Sequence, residues 1–277
     1  MNSPLTELNP RTTVLLSTTA HQFARAFAAE QFNPQRGKQV YLNTLAVYAL
    51  HTYLGWARIP TDPESSYSWN PNLRALENRC DLLLPDIGRL ECCPVLPNAS
   101  TFVPPMLAQD SMAYIAVQFS ESLTEVDLLG YLPIVGFEDV PEEVEISDLF
   151  PMDQLTDYLF RIQDGLEFIE QNSDDPDVQA LLGILEEDRQ RSLVEVIIRM
   201  EQFRNDEWRW SVDGKSTILP QDVASMPMVS ATLSGNAEQP EPLKDDAVNT
   251  LAKSLLQKLK AIWEESENAL SSYPAEG

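Results

Sequence analysis

Histidine is nearly absent from this chain: 277 residues contain two, His21 and His51. Neither belongs to an HExxH pattern, and each falls in an apolar helical stretch, where a histidine is ordinarily a hydrogen-bonded core residue. Glycine is sparse as well, at ten. No GxGxxG, GxxxxGK[ST] or GxSxG sequence occurs, so the loops that cradle phosphate and the nucleophile elbow are missing. The three cysteines, Cys80, Cys92 and Cys93, make no zinc-type CxxC pair. On a strand the adjacent Cys92 and Cys93 point to opposite faces and cannot grip one metal together. An odd number of thiols fits reduced cysteines in a cytoplasm better than a disulfide framework. No catalytic residue, metal or cofactor is therefore expected, and the chain reads as non-enzymatic.

Positive charge is also short, with 19 Lys and Arg against 43 Asp and Glu, a formal net charge of −24. Such a field repels phosphate, which argues against nucleic acid and anionic lipid and favours a basic protein partner. The deficit is uneven. Residues 138–214 carry 6 basic and 22 acidic side chains, −16 of the total. One reading is a set of solvated helix faces that aid solubility, and the other is a docking surface for a basic protein. No run of about 18 apolar residues exists, so no membrane span is expected. The start, MNSPLTELNPRTTVLL, lacks the pattern of a secretory signal. Asn98-Ala99-Ser100 is a chance glycosylation match in a cytoplasmic chain.

What the chain does have is apolar periodicity, with 43% hydrophobic residues. Val40, Leu42, Leu45, Ala46, Ala49, Leu50, Tyr53 and Leu54 recur at three and four residues and predict a core helix between Lys38 and Gly55. Phe23, Ala24, Phe27 and Ala28 predict a preceding helix, capped by Ser17 or Thr18 and stopped at Asn33-Pro34. Together they predict a helical hairpin in which His21 and His51 face each other. Beyond an aromatic loop with Tyr67 and Trp69, strands are expected near Ile87–Leu96, Ala113–Phe119 and Glu125–Val135, as a small antiparallel meander. Glu142–Leu149 suggests an acidic edge strand. Helices follow from Pro151 to about Gln171, from Asp177, and over Ser192–Phe203. In Asn205–Gly214 a short strand would put Trp208 and Trp210 on one side.

The fold class expected is α+β. The hairpin packs on the meander, and acidic helices and a tethered C-terminal amphipathic helix follow. The expected divisions are a 1–150 core, an acidic helical region 151–214 packed on it, a Pro-rich linker 219–242 and a final helix 243–265. In that helix Leu251, Leu255, Leu259 and Ile262, with Trp263 beside them, form an apolar stripe. It either docks on the body, binds a partner's groove or pairs two copies of the chain. A pocket between hairpin and sheet near His51, Tyr67 and Trp69 is the alternative site, for a small molecule.

Four phrases, QVYLNTLAVYALHTYL, SYSWNPNLRAL, DLLLPDIGRLECCPVLPN and YIAVQFSESLTEVDLLGYLP, resemble a cyanobacterial family of uncharacterised proteins, domain of unknown function 1822. The resemblance covers roughly residues 20–160 and fades beyond. It implies a cyanobacterial cytoplasmic protein with no assigned activity and brings no catalytic residues. Relatives encoded beside sigma factors imply a regulatory role, with a sigma-type transcription factor as the basic partner.

Overall fold

The computed structural model describes residues 12–76, 79–105, 110–134, 142–187, 192–212 and 242–271. Its elements in chain order are β1 (Thr12–Leu15), α1 (Thr18–Ala29), α2 (Pro34–Trp56), α3 (Pro71–Leu76), β2 (Asp81–Leu84), β3 (Gly88–Val95), β4 (Thr101–Phe102), β5 (Ser111–Phe119), β6 (Glu125–Pro133), β7 (Val144–Glu145), α4 (Leu155–Gln171), α5 (Pro176–Glu187), α6 (Leu193–Val212) and α7 (Pro242–Ser271). The class is mixed α and β, as the periodicities predict. The chain divides into two compact units, residues 1–171 with 189–198, and residues 172–188 with 199–277. That division runs through the acidic stretch 151–214 and not along its ends.

In the first unit α2 is the central helix. Asn33 caps it through a side chain that accepts from Gln35 N, and Pro34 starts it, where a missing N–H costs nothing. Leu45, Leu50 and Leu54 are fully buried, and each contributes about 2 kcal/mol of hydrophobic stabilisation. Its buried polar groups are satisfied: Thr44 Oγ1 donates to Val40 O, and Asn43 donates to Arg79 O while accepting from Gln39 Nε2. Ser17 caps α1, accepting from Ala20 N. The two helices approach closely at Gly37, where a Cβ would lie 3.1 Å from Ala28 O. The histidines do not face each other. His21 is hydrogen-bonded to the Tyr41 hydroxyl and His51 to that of Thr61.

The sheet has the order β1-β6-β5-β3-β2. The expected meander is corrected at its centre, because β3 and β5 run parallel while the other neighbours are antiparallel. Parallel strands need a crossover of about a dozen residues, and the stretch 96–110 between them is long enough. It includes β4, which pairs with β7 as a separate two-stranded ladder. The expected edge strand at 142–149 shrinks to the two residues of β7, followed by a 3-10 turn, Ile146–Asp148. One face of the sheet carries a cluster of Cys93, Val95, Tyr114, Ala116 and Leu129 with Phe102, Ile134, Val144 and Leu149. Gly130, at φ +156°, lets β6 pass the chain at Leu149 and Phe150, since a Cβ there would be 2.6 Å from Phe150 O.

Helix α4 buries Leu155, Tyr158, Leu159, Ile162 and Ile169, the face its spacing predicts. Tyr158 donates to Met112 O. The residues expected as a short strand around Trp208 and Trp210 belong instead to α6. Their side chains and that of Trp263 lie outside the described residues, as do residues 219–241 of the expected linker 219–242, whose last residue, Pro242, begins α7.

In the second unit α5 and α7 pack together. Val178 and Leu181 are buried on one helix, and Val248, Ala252, Leu255, Leu256 and Leu259 on the other. A clasp spans the contact: Lys258 Nζ reaches Asp175 and Asp177 at 2.7 Å each, and Ser254 donates to Asp177. Hydrogen bonding to Lys258 holds both carboxyls below the ordinary range and raises the ammonium above its own. The lowered carboxyls stabilise the folded state above their unfolded pKa, and that contribution is lost as pH falls through the folded values. The raised ammonium stabilises below its unfolded pKa, and its share is lost as pH rises through the folded value. The clasp should therefore hold from about pH 4 to about pH 10. Lys258→Met is expected to speed amide exchange in α7 at pH 7, and the difference from the native chain should shrink as pH falls through the lowered carboxyl values, as hydrogen-exchange mass spectrometry would read.

Candidate functional site

Inward-pointing charge marks the middle of the first unit. Asp81 opens β2 and is 0% exposed. A bare carboxylate there would cost several kcal/mol, yet its oxygens accept from Tyr67 N and Ser68 N, both at 2.9 Å, and from Arg89 Nη1 at 2.7 Å. Arg89 also donates to Asp110, and the Tyr67 ring lies 3.8 Å from its guanidinium carbon. Burial works against the charged guanidinium, but the Asp81 hydrogen bond and the charges of Asp110 and Asp81 outweigh it, so its pKa is raised. Glu91, the register partner of Asp81, is buried as well and accepts from the Ser111 hydroxyl at 2.6 Å. A second guanidinium closes the loop: Arg74 donates to Ser68 O, Trp69 O and Glu30 and stacks on Phe27.

Next to this network lies a cleft of about 450 Å³. Gln39 and Asn43 of α2 form one wall, Cys92–Val95 of β3 with Leu96 beyond it another, and Thr101–Pro105 with Glu143 the rim. It exists because β2 is shorter than β3. The ladder between them covers only Gly88–Glu91 of β3, so past Cys92 the strand has β5 as its one ladder partner among the described strands. Pro94 sits on that edge, where its missing N–H leaves no donor for stray pairing. Cys80 and Cys92 line the cleft with Cys93, all three as free thiols. Burial pushes the Cys80 and Cys93 thiols well above their ordinary pKa, which makes them poor nucleophiles at neutral pH. No cluster of three metal-binding side chains occurs among the described residues.

The residues singled out from sequence are placed as follows. His51 and Trp69 both pack on the Tyr48 ring, and Trp69 also meets Phe27 edge-on. Burial lowers the His51 pKa. Tyr67 belongs to the Asp81–Arg89 network. The three are thus engaged in holding the aromatic loop, and the cleft is lined by other residues. On α7, Leu255 and Leu259 are buried, Leu251 is half-buried and Ile262 is 47% exposed. The apolar stripe is turned into the contact with α5. On the opposite face of α4, Asp157, Phe160, Asp164 and Glu167 follow one another at three and four residues and are all exposed, and Asp153, in the 3-10 turn Met152–Gln154 before the helix, continues the row. The Asp81 network gave a signal too, since Arg89 and Glu91 interrupt an apolar strand, and charge in such a strand must find partners.

A family model matches residues 14–272, nearly the whole chain. The chain belongs to the family described as protein of unknown function (DUF1822). No curated protein and no solved structure matches it. The family therefore extends well past residue 160, where the sequence resemblance was expected to fade, and takes in α5 and α7 as well as the sheet. Among the described residues of this DUF1822 member, no helix is long and apolar enough to cross a membrane.

Removing Asp81 would leave the Arg89 guanidinium and two loop N–H groups without their carboxylate. Asp81→Ala is expected to destabilise the first unit by about 3–5 kcal/mol, measured by urea unfolding. Loss of Tyr67 and Trp69 burial should appear in the same transition.

Proposed function

We propose that this DUF1822 protein is a non-enzymatic interaction protein that receives a basic protein partner on the outer face of α4. The observation that carries the reading is Phe160, 50% exposed in the middle of the stripe Asp153, Asp157, Asp164 and Glu167. A lone exposed aromatic among carboxylates suits a partner with an apolar pocket rimmed by Lys and Arg. The ring supplies buried area, and the carboxylates supply steering and register. The α7 stripe, expected as a second contact surface, supports the reading less, because Leu255 and Leu259 are already covered. A regulatory role with a sigma-type transcription factor as the basic partner, in a cytoplasm, is the form that the charge and the family resemblance favour.

The test is affinity capture with the full chain at low salt, followed by mass spectrometry of what is retained. Phe160→Ala is expected to weaken the captured complex by about 30-fold, as for a central anchor. Asp157→Asn with Asp164→Asn and Glu167→Gln should slow association and flatten its salt dependence. Retention by both variants equal to the native chain sinks the reading.

A second reading, a small-molecule binding module, is favoured by the cleft. Its volume falls in the range of about 300–1,000 Å³ usual for such sites, and Gln39, Asn43, Thr101 and Glu143 offer polar contacts. A metabolite panel should contain a compound that raises the melting temperature of the native chain but not of Ala99→Trp, whose side chain would fill the cleft. Equal shifts in both would remove the cleft from consideration.

A further inference from the structure

Cys80 and Cys92 stand directly opposite each other, one step beyond the Asp81 and Glu91 register pair. Cys92 N donates to Cys80 O at 2.6 Å. Opposed residues of a hydrogen-bonded antiparallel pair have Cα atoms about 5.5 Å apart, inside the window of about 4.4–6.8 Å that a disulfide spans. Both line the cleft, although Cys80 is 2% and Cys92 1% exposed. Cys93, next in sequence, belongs to the cluster on the other face of β3.

We propose that Cys80 and Cys92 are a modification site, a dithiol that hydrogen peroxide entering the cleft oxidises reversibly to a disulfide. One sulfur attacks the peroxide, the O–O bond breaks, and the sulfur becomes a sulfenic acid while its proton leaves with the other oxygen as water. The second sulfur then attacks the first. The S–O bond breaks, the S–S bond forms, and the departing hydroxide takes the second thiol's proton as water. Two electrons pass from the sulfurs to the peroxide, and a small dithiol returns them. The disulfide consumes the S–H by which Cys80 donates to Asn43 O at 3.3 Å. Oxidation thus cuts a tie between α2 and the sheet in the wall of the cleft, whichever partner or ligand the protein takes. Because the Cys80 thiol is held protonated, the reaction is slow at neutral pH and quickens as pH rises.

The full chain is treated with millimolar peroxide, quenched by alkylation, and weighed intact and after digestion. The expected result is a mass loss of two hydrogens, two fewer alkylated thiols and a Cys80–Cys92 crosslinked peptide, all reversed by dithiothreitol. Cys93→Ser should behave as the native chain, and Cys92→Ser should lose the crosslink. Unchanged thiol titre in the folded chain overturns the proposal, as does a Cys92–Cys93 or intermolecular bond, or direct conversion to sulfinic acid. The native digest decides the matter even if Cys92→Ser does not fold.

Discussion

The Asp81 carboxylate is the constraint on which the first unit rests. A charge with no solvent contact is tolerable only when charge-assisted hydrogen bonds replace its hydration. Here the replacements come from three places in the chain: the N–H groups of Tyr67 and Ser68, and Arg89 across the hairpin. Satisfying the carboxylate therefore fixes the aromatic loop on the sheet. Ser68 extends the effect, because its hydroxyl donates to Asp81 O while its carbonyl accepts from Arg74, which is paired with Glu30 of α1. Hairpin, loop and sheet are held through one ionic group, and Trp69 reaches Phe27 and Tyr48 as a consequence.

How much of this was legible depends on whether the determinant is local. The helices α1, α2, α4, α5 and α7 could be read from spacing and caps such as Ser17 and Asn33, because their signals lie within one or two turns. The parallel pairing of β3 with β5 could not, since AYIAVQF has the same pattern whichever neighbour it joins. Trp208 and Trp210 misled for a related reason: aromatics at alternate positions look like a strand, and here the helical run from Leu193 continues through them. The Asp81 network was hidden because partners up to 44 residues apart, as Arg74 is from Glu30, meet only in three dimensions. Its trace in sequence is the charge at Arg89 and Glu91 within an apolar run.

Sequence treated the acidic surplus of residues 138–214 as one quantity, and the structure divides it. Asp175 and Asp177 are engaged with Lys258 and hold α7 on α5, so their charge is spent inside the second unit. Asp157 and Glu167 on α4 face water beside Phe160. Carboxylates of the first kind are needed for folding whether or not a partner exists. Those of the second kind contribute little to stability, since exposed charges at these spacings repel or gain only tenths of a kcal/mol. Phe160 in their midst keeps half of its surface in water, and the docking role proposed for this face would give that half a partner.

The cleft follows from strand length alone. Four residues of β2 cover half of β3, and Pro94 keeps the uncovered half from recruiting a further strand. The same shortfall that exposes a strand edge leaves Cys80 and Cys92 one step past the last rung of the ladder, opposed, reduced and beside the cleft. Within a longer β2 the two thiols would be equally close but sealed from any oxidant. Without Asn43 beneath them, their oxidation would leave α2 untouched. Proximity, access and a contact to lose coincide at that one step, and chemistry there can be felt in the helix around which the unit is built.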